Sequence, residues 1–296
     1  MKAYKRITDH IIKKLEEGKI PWNKPWNGKE SAPRNAKTKR YYRGINVFLL
    51  FDFDNPNFVT FNQAKEAGGN VKKGERGTPV VFWKFAKKTK NGWSEADPEH
   101  DDREDIKPIL RFYTLFNVEQ CESLPEKYTQ FDKPQTNDND RIQVAEAIVA
   151  GYPNPPTINT QEQNQAYYRP STDEIMLPKI EQFHGSEYYY ATLFHEMVHS
   201  TGHQTRLNRP EVTGPVNFGS EKYSREELVA EMGATFLCAE AGIENATIEN
   251  QTAYIQNWLK VLKQPKNEKL IVHAGAQAQK AVEYISPQAV QKELVA

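Results

Sequence analysis

The sequence predicts an α+β fold in two domains, and three observations carry that prediction. Charge divides the chain: residues 1–96 hold 21 Lys and Arg against 9 Asp and Glu, whereas residues 97–296 hold 18 against 30, so a formal total of zero hides a front portion at +12 and a rear portion at −12. Pro125, Pro134 and the polar run Thr136 to Asp140 mark a break between them. The front alternates short helices with strands, while the rear is dominated by helices with apolar residues at 3.6-residue spacing. We therefore expect one domain over 1–123, a linker over 124–140 and a second domain over 141–296, each long enough for its own core.

The first element is an amphipathic helix ending near Gly18, with Ile7, Ile11, Ile12 and Leu15 on one side. A loop follows at 20–28, then a mixed segment at 44–53, a short helix at 61–67 and two strands at 79–85 and 109–118, with the acidic stretch 95–105 as the hairpin loop between them. Beyond the linker come a helix at 141–150, strands at 166–169 and 174–177, and helices around 188–201, 223–241, 250–263 and 268–285. The N-terminus lacks the apolar core of a signal peptide, no apolar run approaches membrane-spanning length, and Cys121 and Cys238 are far apart. A cytoplasmic chain with no membrane attachment is expected.

The segment His195-Glu196-Met197-Val198-His199 is the strongest chemical signal. On a helix, residues four apart share a face, so both imidazoles can grip one metal ion, with Glu196 about 100° further round where it reaches a water rather than the ion. A core helix with two hydrogen-bonded histidines would not need this spacing. A catalytic zinc takes a third protein ligand and leaves a fourth position open. His203 is set aside as a loop residue, because Thr205 occupies the position where a third histidine at metzincin spacing would fall. On the next helix, Ser224 with Glu227 reads as a capping box, which gives Glu227 an end-of-helix or supporting role, while Glu231 lies among apolar neighbours where a carboxylate is costly without a cation. We expect His195, His199 and Glu231 as ligands and Glu196 as the general base of carbonyl hydrolysis, on zinc, with manganese or another divalent transition metal also compatible. Only a weak pointer, Tyr223, exists for the oxyanion donor. A magnesium nuclease would use clustered carboxylates instead, and no small-molecule cofactor is expected.

The basic portion interleaves cations with aromatics, the composition of a binder of unpaired nucleic acid. Trp22 and Trp26 sit in a Pro-rich loop, and Arg34, Asn35, Lys39, Arg40, Tyr42, Arg43 and Asn46 form a dense run; Lys72 and Lys73 mark a glycine-rich turn, and Lys84, Lys87 and Lys88 flank a strand with Trp83. A solvated basic face over core tryptophans is the plainer alternative, and composition alone does not separate DNA from RNA.

Several longer motifs then point one way: Ile20-Pro21-Trp22, Pro33-Arg34-Asn35, Tyr42-Arg43-Gly44-Ile45-Asn46, the stretch Gly74 to Val81, Phe116 to Cys121, His195 to His203, Glu227 to Met232, Trp258 to Leu262 and Ala278 to Ala281. Together they resemble the ArdC antirestriction family across nearly the whole chain. The resemblance implies an N-terminal domain that binds single-stranded DNA, a C-terminal zincin-like metallopeptidase domain whose histidines and downstream helix glutamate match His195, His199 and Glu231, and protection of incoming conjugative plasmid DNA from restriction. It leaves open whether shielding of the strand or cleavage of a host protein does the protecting.

Overall fold

The computed structural model describes residues 2–20, 32–50, 53, 55–89, 92–95, 106–131, 138–183, 185–213, 221–243 and 251–287. Helix α1 (Lys2–Glu16) forms as its periodicity demands and buries Ile7, Ile11 and Leu15. Strand β1 (Arg34–Asn35) leads to helix α2 (Ile45–Leu49), strand β2 (Asn57–Val59) and helix α3 (Phe61–Glu66), which opens on a capping box between Thr60 and Gln63. Strand β3 (Asn70–Val71) precedes the long strand β4 (Thr78–Thr89), then β5 (Gly92–Glu95), β6 (Ile106–Asn117) and β7 (Cys121–Glu122).

Strands β4 and β6 pair antiparallel from Thr78 opposite Leu115 to Lys87 opposite Ile106. They form the spine of a sheet in the order β1-β2-β6-β4-β5. Alternation gives this ladder two faces. At the base of one face Val80 and Leu115 are covered by Leu50 and Phe58, while on the other Val81 and Leu110 join the core around α1.

Helix α4 (Glu126–Thr129) lies within the stretch expected to be linker. Its Tyr128 is buried in an apolar cluster with Val59, Ala64 and Val118, and Asn57 donates to the Gln130 carbonyl at 3.3 Å. One buried aromatic thus folds the first part of that stretch onto the front portion.

The rear portion begins with helix α5 (Asp138–Ala150) and strands β8 (Thr157–Gln161), β9 (Tyr167–Arg169) and β10 (Glu174–Pro178). They form a sheet in the order β8-β10-β9, with β9 antiparallel at its edge. Helix α6 (Ser186–Ser200) follows, then α7 (Pro210–Thr213), α8 (Glu221–Ala241), α9 (Gln251–Leu262) and α10 (Leu270–Ile285). Strand β8 was not expected, because the polar Thr157-Ile158-Asn159-Thr160-Gln161 carries little of the apolar pattern of a strand.

The two halves share a core. Ile7, Ile11 and Phe48 from the front belong to the same apolar cluster as Phe194, Met197, Leu237 and Ile271 from the rear. Arg43 pairs with Glu283, and the Gly44 amide donates to Gln279 at 3.1 Å. At Gly275 a Cβ would lie 2.9 Å from the Ile45 backbone nitrogen, so glycine is what lets α2 meet α10.

Helices α6 and α8 cross just as closely at Gly233, where a Cβ would come within 2.7 and 2.8 Å of the two Val198 methyls. Substituting Gly233→Val should therefore cost about 2–3 kcal/mol through overpacking. Urea unfolding measures this, and unchanged stability would show that the helices have room to spare.

Candidate metal centre

Helix α6 buries Phe194, Met197 and Val198, which turns His195, Glu196 and His199 toward α8 and a cavity of about 500 Å³. Tyr167 and Tyr168 of β9 and Pro170 line its other side. The two Nε2 atoms of His195 and His199 stand 3.1 Å apart. One carboxylate meets both: Glu227 Oε2 is 3.6 Å from His195 Nε2, and its Oε1 is 3.5 Å from His199 Nε2. Ligands about 2.0–2.1 Å from a tetrahedral ion would be separated by roughly 3.3 Å. The donor set and its spacing fit a divalent metal.

The carboxylate at this position is that of Glu227, not Glu231 as the sequence led us to expect. Among the described residues, His195, His199 and Glu227 are the group whose ligand atoms converge. The cause is helix register: α8 begins at Glu221, so position 224 lies within the helix and Glu227 beyond its first turn, away from an end-of-helix role. One turn further on is about 5.4 Å along the axis, and Glu231 falls outside the convergent group.

Adjacent Glu226 supports the site from behind. It is almost fully buried and accepts from Arg209 Nε at 2.9 Å and Arg209 Nη2 at 2.5 Å, while its Oε1 lies 3.2 Å from His199 Nδ1. Arg209 also donates to Thr201 Oγ1 at 2.6 Å and to the Val198 carbonyl at 2.8 Å. Gly202, just past the end of α6, makes room for this loop: a Cβ there would lie 2.4 Å from Val212 and 3.1 Å from the Arg209 guanidinium. A carboxylate behind a metal-ligating histidine fixes its tautomer and aim. Neither Glu226 in this role nor Arg209 was found from the sequence, since nothing local distinguishes either from an ordinary charged surface residue.

Electrostatics express the same arrangement. Burial works to lower the His199 pKa, but hydrogen bonds and charge from Glu226 and Glu227 prevail and push it up to about 10. Burial likewise works to raise both carboxyls, yet the imidazoles hold Glu227 well below the usual carboxylate range, and His199 with Arg209 does the same for Glu226. The pocket favours positive charge at its centre. Glu196 is buried and lines the same cavity. His203 lies in the following loop, 2.9 Å from the Thr205 hydroxyl and outside the cluster.

In the front portion the expected nucleic-acid contacts separate into two groups. Asn46 exchanges hydrogen bonds of 2.8 Å with both backbone groups of Val81, Asn35 caps the turn at Lys37 and Thr38, and the half-buried Tyr42 accepts from Asn35. These three are tied into the fold through their polar groups. Arg34 donates to Asn57, Arg43 pairs with Glu283, Lys39 reaches the Lys127 carbonyl and Lys72 the Glu119 carbonyl, while Arg40 and Lys73 are exposed. Lys84 and Lys87 are partly exposed along β4. Trp22, Trp26 and the side chains of Lys88 and Tyr223 lie outside the described residues. Register adds residues that the sequence reading missed: exposed Phe82 packs at 5.6 Å against Tyr113, on the face that also carries Lys84, Lys107 and Arg111.

Two family models match the chain, the N-terminal domain of anti-restriction factor ArdC over residues 1–116 and a zincin-like metallopeptidase over residues 144–277. A DNA primase TraC of Escherichia coli is 36% identical over 95% of this chain, which spans 27% of that protein's length. The uncharacterized protein y4eC of Sinorhizobium fredii is 31% identical over 96% of this chain and 92% of its own. Among solved structures, the antirestriction ArdC protein from plasmid R388 is 34% identical; its metal-free form superposes with a TM-score of 0.73 over 98% of this chain and 99% of its own, and its Mn(II)-bound form with 0.72 over 97% of each. With full-length likeness in sequence and in structure, the chain belongs to the ArdC antirestriction family, an ArdC-type N-terminal domain followed by a zincin-like metallopeptidase domain.

Proposed function

We propose that the chain binds single-stranded DNA through its front portion, shielding incoming plasmid DNA from host restriction, and holds zinc or manganese on His195, His199 and Glu227. The observation that carries the nucleic-acid reading is the open end of the β4–β6 face, where Phe82 and Tyr113 stand among Lys84, Lys107 and Arg111. An aromatic that stacks on a base can contribute about 1–3 kcal/mol, and cations beside it neutralise phosphates whatever the sequence. Lys39, Arg40, Lys73 and, on the opposite face of β4, Lys87 are further cationic candidates, together with Trp22, Trp26 and Lys88. The primase named among the relatives and the Mn(II)-bound ArdC structure support the two halves of this reading.

A divalent ion at the centre would acidify a water and polarise a carbonyl. Glu227 and the two imidazoles supply the donor atoms, Glu226 and Arg209 keep His199 aimed, and Glu196 accepts a proton from the attacking water. The edge strand β9 beside the cavity offers unpaired backbone groups to an extended peptide. That edge favours a second reading, a peptidase acting on a host protein with the front portion localising it on DNA.

Three outcomes test these assignments. Phe82→Ala should weaken binding to an unpaired oligonucleotide by about 5- to 150-fold, the equivalent of one lost stack, with wild-type affinity falling steeply in salt; equal affinity for duplex would count against the reading. Shielding predicts that Glu196→Ala leaves plasmid protection in conjugation assays intact, whereas the peptidase reading predicts its loss.

Zinc competition titrations should show Glu227→Gln losing at least 100-fold in affinity, Glu226→Gln about 10–100-fold, and Glu231→Gln little. Because His199 keeps its proton up to about pH 10 in the chain alone, binding an ion must displace it. Apparent affinity should therefore rise about tenfold per pH unit between pH 6 and 8. A flat profile would mean that His199 is already neutral.

A further inference from the structure

The cavity at the metal centre holds one negative charge that none of its own groups balances. Of the four carboxylates that line it, Glu226 is matched by Arg209, and Glu227 faces the two imidazoles. A divalent ion on those ligands would set two positive charges against Glu227 and Glu196. Glu211 is left over. It is half-buried, its side chain makes no hydrogen bond or ion pair among the described residues, and among them no Lys or Arg lines the cavity with it. Arg225, Lys266 and Lys269 lie around a smaller recess on the far side of Glu211 and Glu226, and none of them pairs with Glu211.

The backbone that carries this carboxylate is fixed in place. Helix α7 follows directly on Arg209, whose guanidinium is held by Glu226 and by the Val198 carbonyl, and the Val212 amide donates to the Arg209 carbonyl at 3.0 Å. Val212 in turn seats against Gly202. Glu211 thus stands on a turn locked to the end of α6, at the mouth of the hydrolytic centre. A half-enclosed carboxylate without a partner costs free energy that an incoming cation recovers. Val212 on the same turn, with Ala166 and Pro170, gives the cavity apolar wall of the kind that an aliphatic stem covers while its charged head reaches a carboxylate.

From this unbalanced charge, its fixed position and the absence of competing cations in the cavity, we infer that Glu211 is a specificity residue, receiving the Lys or Arg side chain of a peptide laid along β9, close to the bond that is cut. The inference rests on the peptidase reading and names its substrate class, a basic peptide segment. At about 500 Å³ the cavity has room for such a side chain beside the metal.

The test uses the full-length chain loaded with zinc. A pool of short random-sequence peptides is incubated with it and the products are sequenced. Lys and Arg are expected to be enriched about tenfold at one position near the cut, the effect of one charge-assisted contact. The enrichment should disappear in Glu211→Gln and turn toward Asp and Glu in Glu211→Lys, with zinc content unchanged in both. Cleavage without basic preference, or a preference that survives in Glu211→Gln, would overturn the inference; so would loss of a second bound zinc ion in that variant, which would make the carboxylate a metal ligand. Where no peptide is cut, the peptidase reading fails and binding decides the role of Glu211. In Glu196→Ala, fluorescence polarisation of labelled alanine-rich peptides with a central Lys or Met should show the Lys peptide bound about tenfold tighter, a difference that shrinks in salt and is absent in Glu196→Ala/Glu211→Gln. Equal affinity for the two peptides, or no binding of either, is then fatal to it.

Discussion

The rear portion depends on one buried chain of charge: Arg209 to Glu226, Glu226 to His199, and His199 with His195 to Glu227. Each partner would be costly alone in so enclosed a place, and each is tolerated because the next has the opposite sign. The order matters for chemistry. Glu226 is occupied on its far side by a guanidinium that cannot lose its proton, so it remains an acceptor toward His199 Nδ1 and leaves Nε2 facing the cavity. The geometry at the front of the imidazole is thus set by a residue behind it.

That chain exists only because two helices approach closely enough for their charged faces to meet. Gly233 against Val198 sets the crossing of α8 on α6, and Gly202 lets the loop that carries Arg209 fold back onto the carbonyls at the end of α6. Neither glycine has a left-handed backbone. Both act by what they lack, and the packing of small residues therefore determines which glutamate faces the histidines.

This explains what could and could not be read from the sequence. His195, Glu196 and His199 were legible because their relation is contained in one helix with a fixed repeat, and α1, β4, β6 and α10 were legible from periodicity for the same reason. The third carboxylate was not, because the choice between Glu227 and Glu231 is a choice of register between two helices, and 3.6-residue spacing places both on the same face. The capping-box reading of Ser224 and Glu227 failed because α8 starts at Glu221, four residues before Arg225, where a helix capped at position 224 would begin. In the front portion, composition marked a basic, aromatic surface, but whether a polar residue such as Asn46 faces solvent or holds β4 depends on a contact 35 residues away. Cross-strand register, equally invisible in a linear reading, is what brings Arg111 and Lys107 to the face of Phe82.

The opposite charges of the two portions invite a picture of a nucleic-acid module tethered to an enzyme, and the packing argues against it. Helix α1 gives its apolar side to the common core, Thr8 donates to the Glu268 carbonyl at 2.8 Å, and Lys263 pairs with Glu16 at 2.7 Å. The motif Tyr42 to Asn46 touches the motif Ala278 to Ala281 directly, through the Gly44 amide and Gln279. Asn46, in that same motif, holds the backbone of β4 one residue from Phe82. Strand β4, helix α2 and helix α10 are thus joined by direct hydrogen bonds across the two portions. Independent rocking of the two portions would expose Phe48 and Ile45, both buried in the common core, at about 1.5–3 kcal/mol for each side chain brought fully into water.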